Sequence, residues 1–215
     1  MWAKRIIDSE RRPLILASGL SLLCLAGCVG MGTNEIRLMH DALATPTAKA
    51  PGQIVMQKTA EDLRATAGRI GHATMTVFAI ESGTVTTYSP VEEEVVSHVK
   101  EALESVGYQV TLVEPKRVAL KPSRLVKVEI REFSFKNYNW VWPIVPTWGT
   151  IELGLVVETA EGRTQFDRSF RGTGSSFCLT GECAFGAATK EALTNVLDQI
   201  VQTASSEHFR LALQF

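Results

Sequence analysis

The chain has 215 residues, 45% of them hydrophobic and 21% charged, with a formal net charge of -1. That length supports one domain with a real core. The near-neutral balance excludes a global basic field for nucleic acid and leaves no acidic tail.

The first residues carry Lys4, Arg5, Arg11 and Arg12, followed by an uncharged run from Leu14 to Gly27. A basic stretch before a short apolar run is the layout of a secretory signal peptide. The run is shorter than the roughly 20 residues a membrane span requires. It ends in Leu25-Ala26-Gly27-Cys28, which resembles the lipobox of bacterial lipoproteins. That resemblance implies a signal peptide over 1–27 and a lipid on the Cys28 thiol, with acylation of the new amino terminus. Several acyl chains on one residue anchor stably, because each buried methylene contributes about 0.8 kcal/mol. Val29 after the cysteine favours the outer membrane, facing the periplasm. An envelope location also excludes nucleic acid as a partner.

Residues 28–70 read as a lipidated N-terminus and flexible linker, because Ala44 to Gly52 is rich in small residues and proline. Glu61 to Ile70 suggests a short helix with a thin apolar pattern. The periplasmic domain is expected over 71–215. Thr74 to Ile80 has strand composition, and Ser89-Pro90 followed by Glu92, Glu93 and Glu94 opens a helix. Val95, Val99, Ala102 or Leu103, and Val106 form its buried stripe, and Gly107 stops it. Gln109–Val113 reads as a second strand and Arg124–Phe135 as a third. The slip from Ile130 to Phe133 in that third strand predicts a bulge near Glu132. Ile151–Val157 and Thr164–Arg171 then form a hairpin, and Ala184 to about Leu211 is one long helix. The predicted fold is α+β, in the order β-α-β-β-β-β-α. Two helices cover one face of a mainly antiparallel sheet of about five strands.

Cys178 and Cys183 remain once Cys24 leaves with the signal and Cys28 takes the lipid. In an oxidising compartment they read as a disulfide closing a small loop. A metal pair or a redox pair are the alternatives, but no histidine lies near in sequence and the spacing is not Cys-x-x-Cys. His40, His72, His98 and His208 are scattered. His98 is placed on the exposed side of its helix and His40 in the tail, and neither has a second ligand at metal spacing. Gly172-Thr173-Gly174-Ser175-Ser176 lacks the lysine of a phosphate loop and its βαβ context. Its glycines are expected to let the chain leave the sheet edge. With no nucleophile elbow and no His-Glu-x-x-His, the chain is expected not to be an enzyme, and no catalytic, cofactor or metal residue is assigned.

One segment stands out. Tyr138 to Gly149 holds Trp140, Trp142 and Trp148, with Ile144 and two prolines. The prolines argue against continuous strand. Such a segment either plugs the core or presents amphipathic rings to a membrane interface or a protein. Tyr138, Trp140, Trp142, Ile144 and Trp148 are therefore the candidate contact residues.

Taken together, the lipobox, the helix Val95 to Leu103 ending in Gly107-Tyr108-Gln109-Val110, Phe170-Arg171-Gly172-Thr173-Gly174, and Ala188 to Leu193 give a pattern similar to YajG-like Gram-negative lipoproteins. More loosely it resembles auxiliary lipoproteins of envelope transport systems and of lipopolysaccharide assembly. The resemblance implies a non-catalytic accessory or scaffold in outer-membrane assembly or transport. Its partners would be the membrane, through Cys28, and an envelope protein or lipid. A lipid-transfer component is the second expectation, and an envelope hydrolase whose residues converge only in three dimensions is the third.

Overall fold

The computed structural model describes residues 32–50, 52–75, 80–114, 123–138 and 144–214. The signal peptide, Cys28, Trp140 and Trp142 lie outside the described residues. Among the described residues, nine strands and three helices follow one another as β1 (Gly32–Ile36), β2 (Gly52–Gln57), β3 (Glu61–Asp62), β4 (Gly71–Met75), β5 (Ile80–Thr87), α1 (Val91–Val106), β6 (Tyr108–Val113), β7 (Arg124–Tyr138), β8 (Val145–Thr159), β9 (Thr164–Cys178), α2 (Gly181–Ala204) and α3 (Glu207–Leu213).

The fold is α+β, but its sheet is mixed and has nine strands. The five-strand antiparallel expectation describes only part of it. β7, β8 and β9 are each 15 residues long, and β8 lies between the other two, antiparallel to both. Along its other edge β7 meets three short strands, all parallel to it. Met56 of β2 pairs with Val126, Glu61 and Asp62 of β3 with Glu129 and Ile130, and Gly71–Thr74 of β4 with Phe135–Tyr138. β6 lies parallel to β2, β5 antiparallel to β4, and β1 parallel to β5.

Residues 32–70 are accordingly part of the domain and not a flexible linker. Ile36, Leu38, Ala50, Ile54, Met56, Ala60 and Ile70 are buried in the main core, and their removal from water outweighs the small, proline-rich composition around them. Residues 37–50, after β1, form a strap fastened to α1 and α2. The Leu38 amide donates to Glu94, the Asp41 amide to Thr194 Oγ1 and the Ala44 amide to Asp198, while Thr47 and Gln202 bond each other. Glu61–Ile70 is not helical either. Asp62 and Arg64 form a buried pair at 2.7 Å, and Arg64 donates further to the Arg69 and Phe133 carbonyls. That fan of donors satisfies the irregular backbone which a helix would have satisfied internally.

Other boundaries move for identifiable reasons. The first expected strand, Thr74–Ile80, touches the end of β4 and the start of β5, and 76–79 lie outside the described residues. The bulge in β7 falls between Ile130 and Glu132, as the slip in apolar phase predicts. β8 begins at Val145 and takes in Pro146, because β7 pairs with β8 only as far as Thr147. The missing amide of Pro146 therefore costs no bond on the β7 side. β9 runs through Gly172 and Gly174 instead of leaving the sheet there. A Cβ on Gly172 would overlap the Ala192 carbonyl and one on Gly174 the Ala188 carbonyl, so the glycines allow α2 to lie against the strand.

α1 begins after Pro90, with its three glutamates in the first turn, and ends at Gly107, whose φ of 112° accepts the left-handed stop. The expected stripe Val95, Val99, Ala102, Leu103 and Val106 is buried. The long C-terminal helix divides: Ser205 bonds back to the Val201 carbonyl, and Ser206 Oγ caps α3 by accepting from the Phe209 amide. Phe209 then packs edge-on against Phe166 and Tyr108. No described helix is long and apolar enough to cross a membrane.

Candidate contact surface

Alternation along a strand sends successive side chains to opposite faces, and directly paired residues share a face. In β8 and β9 the residues facing α2 include Ile151, Leu153 and Phe170, all buried. The opposite face carries Trp148, Thr150 and Glu152 on β8, paired with Ser175, Thr173 and Arg171 on β9. None of the described helices covers this open face, and its chemistry changes along its length.

Over most of its extent the open face is ionic. Arg131, the bulge residue of β7, donates to Glu129 at 2.7 Å, to Asp167 at 2.6 Å and to Ser169, which in turn donates to Glu152. Gly154 makes room for this guanidinium; a Cβ there would crowd Arg131 Nε. Burial works against the charge of Arg131, and the Glu129 and Asp167 carboxylates outweigh it, raising its pKa above the ordinary value. Arg171 pairs with Glu132 and Lys127 with Glu158. These charges are mutually satisfied and read as a solvated surface.

At the other end the face turns apolar. Trp148 is 47% exposed and Phe177 76%. Ile144, just before β8, and Leu179, just after β9, are 43% and 70% exposed. Phe177 lies opposite Pro146, two pairs along from Trp148 and Ser175 and so on the same face, within the diagonal reach of aromatic side chains. Beside Trp148 is a depression of about 260 Å³ lined by Thr150, Thr173, Ser175 and Glu191. The tip is held rigidly. Cys178 and Cys183 form a disulfide with their Cα atoms 5.9 Å apart, tying the end of β9 to the first turn of α2. Thr180 Oγ1 caps that helix by accepting from the Cys183 amide.

The free edge of β9 is closed by α2. Glu191 accepts from the Ser175 amide, Asn195 donates to the Thr173 carbonyl and Gln199 donates to the Arg171 carbonyl. Residues four apart on a helix lie in a row, and here that row substitutes for a neighbouring strand. An edge covered in this way offers little to strand addition. Among the described residues, the apolar tip of the ribbon stays exposed to solvent.

Of the expected contact residues, Ile144 and Trp148 lie at this tip, and Tyr138 ends β7, its side chain outside what is described. Phe177 and Leu179 were not expected there. The signal was available: Phe177 continues the phase of Arg171 and Thr173, so it follows them onto the open face once β9 is drawn through its glycines.

A second cluster joins residues the sequence leaves apart. His40 of the strap meets His98 and Glu101 of α1, with one donor atom from each within 4.8 Å of the others. His98 is thus not on an exposed side but half-buried beneath the strap, and the two imidazoles stack edge-on with centroids 5.0 Å apart. Burial, then the neighbouring His40, lowers the pKa of His98 below the ordinary imidazole value. Only the three-residue step from His98 to Glu101 was readable in advance. His72 is lowered chiefly by burial and lies 3.8 Å from Glu81, while His208 packs against Phe166.

No family model matches the chain, and no curated protein does. Solved structures do. A Xanthomonas campestris protein of the family DUF330 superposes with a TM-score of 0.56 at 17% identity, over 85% of this chain and 98% of that one. The two share a fold. PelC of Paraburkholderia phytofirmans, solved as a dodecamer, gives 0.38 at 11% identity over 74% of this chain and 96% of its own. A hypothetical protein of Chlamydia trachomatis gives 0.37 at 12% over 76% and 96%.

Proposed function

We propose that this chain is a lipid-anchored envelope lipoprotein, related to the YajG-like group, that acts without catalysis as an accessory or scaffold in outer-membrane assembly or transport. It docks an envelope protein through the apolar tip. The observation that carries the reading is the convergence of Ile144, Trp148, Phe177 and Leu179 at one end of an otherwise ionic face. Tryptophan and phenylalanine in that setting lose water favourably only when something covers them. The runner-up, a lipid carrier, needs an open apolar cavity. The space between helices and sheet is instead occupied by Phe135, Phe170 and Phe185, each essentially without solvent contact.

Anchoring rests on the lipobox that ends at Cys28. Since β1 begins at Gly32, a lipid there tethers the domain through four residues, about 14 Å at full extension. The domain rides close to the bilayer and not on a long tail, and a partner must meet the tip near the membrane surface.

The test is in-cell photo-crosslinking from position 177, with and without Trp148→Ser. A discrete protein adduct that weakens at least several-fold in the variant supports docking. Lipid adducts alone would favour carriage or membrane contact, and no adduct at all would remove the contact surface.

A further inference from the structure

We propose that His40, His98 and Glu101 form a binding site for a divalent transition-metal ion, zinc by the chemistry of the donors. Two imidazoles and a carboxylate are a borderline set that suits zinc, with an exposed position left for water. His98 and Glu101 stand three residues apart on α1, one above the other, and His40 arrives from the strap.

The hydrogen bonds around the rings assign their lone pairs. Nδ1 of His40 lies 2.7 Å from the Asp41 carbonyl oxygen. A carbonyl only accepts, so that nitrogen carries the proton and, in the neutral ring, Nε2 carries the lone pair. Yet Nε2 faces Glu101 Oε2 at 3.2 Å. Two acceptors pointed at each other require a cation between them, or a proton on one of them. His98 decides between these. Its Nδ1 is buried with no hydrogen-bond partner among the described residues. A proton shared by His40 and Glu101 leaves that nitrogen unsatisfied, at a cost of about 1–3 kcal/mol. A metal ion takes all three donors at once. The His40 ring thus has one nitrogen fixed by a backbone carbonyl and the other turned to the cluster, which is how metal-bound histidines are oriented.

The surroundings are suited to the task. The His40 side chain is 11% exposed and Glu101 64%, so the rings are shielded while the carboxylate is free to swing in. Lys190 is occupied by Asp41 at 2.5 Å, which keeps the nearby ammonium from competing. The ion would clip the strap to α1 and, through it, secure β1.

The experiment uses the full chain, untagged and with its disulfide intact. Zinc is titrated calorimetrically while the ring nitrogens of His40 and His98 are followed by NMR; cobalt(II) is then substituted to read its visible absorption. One ion per chain is expected, with Nε2 of His40 and Nδ1 of His98 as the shifted nitrogens and a tetrahedral cobalt spectrum. Glu101→Gln, on the exposed side and neutral to folding by circular dichroism, should weaken binding at least tenfold, and His98→Ala should abolish it. Zinc that leaves both rings unshifted, or binds both variants as tightly as the parent, would overturn the proposal. An ion pair alone, with no zinc bound, would do the same.

Discussion

On one edge of β7 a single strand, β8, runs nearly its whole length, while on the other β2, β3 and β4 lie end to end. The first half is a ribbon of three long strands backed by α2. The second is an assembly of short pieces joined by irregular segments, whose backbone must be satisfied by side chains such as Arg64. Equivalent sheet is thus built twice, once by repetition and once by fitting. Repetition spreads a local defect over many neighbouring pairs; fitting concentrates it at one residue.

The comparison breaks first where the ribbon meets its helix. In Gly174→Val a side chain enters the Ala188 carbonyl, so β9 and α2 must part. A loss of about 3 kcal/mol or more is expected by chemical denaturation, and an unchanged midpoint would mean the helix does not lie as closely as described. Asp62→Ala probes the fitted half. Removing one member of a buried pair costs about 3 kcal/mol, and the loss should appear as faster hydrogen exchange around β3 and β4 with β8 and β9 still protected. Uniform exchange across both halves would contradict the division.

The same pair gives a pH signature. The hydrogen bond from Arg64 holds the Asp62 carboxyl below its usual pKa, against the opposing effect of burial. Its contribution is therefore fully present above the unfolded carboxylate range, near ~4, and is lost as pH falls through the lower folded value. Asp62→Asn should remove that part of the acid dependence, and acid melts of parent and variant that run parallel would exclude it. The smallest effect is expected from Arg131→Ala on the open face. Its guanidinium side chain is 28% exposed, solvent screens the network, and a change of no more than about 1 kcal/mol, shrinking with salt, should follow.

The two halves were also unequally legible in the sequence. The ribbon announces itself: apolar residues alternate from Val126 to Ile130, slip at Arg131 and resume at Phe133, and the bulge lies there. The stripes of both long helices, and the disulfide, were readable for the same reason, since their partners are near in sequence or repeat at a fixed period. The fitted half has neither property. β2 and β3 are six and two residues long, β2 follows directly on Pro51 in the sequence, and both pair in parallel with strands far along the chain. Their composition matches a linker, and only the distant partner makes them sheet. Gly172 and Gly174 illustrate the limit in reverse: small residues that look like an exit are the place where a helix crosses. At the tip, Trp148 was marked by its chemistry, whereas Phe177 needed the register of β9 to be seen.

The order of the pieces has a consequence for how the chain reaches its folded form. Met56 waits for Val126, Glu61 for Glu129 and Gly71 for Phe135. A chain emerging amino end first, from a ribosome or a translocation channel, exposes every one of the early strands before their common template exists. Loop closure of that span must precede any reward. The early segments are therefore the natural clients of holding chaperones and the first targets of proteases, and β7 is the element whose arrival ends that exposure.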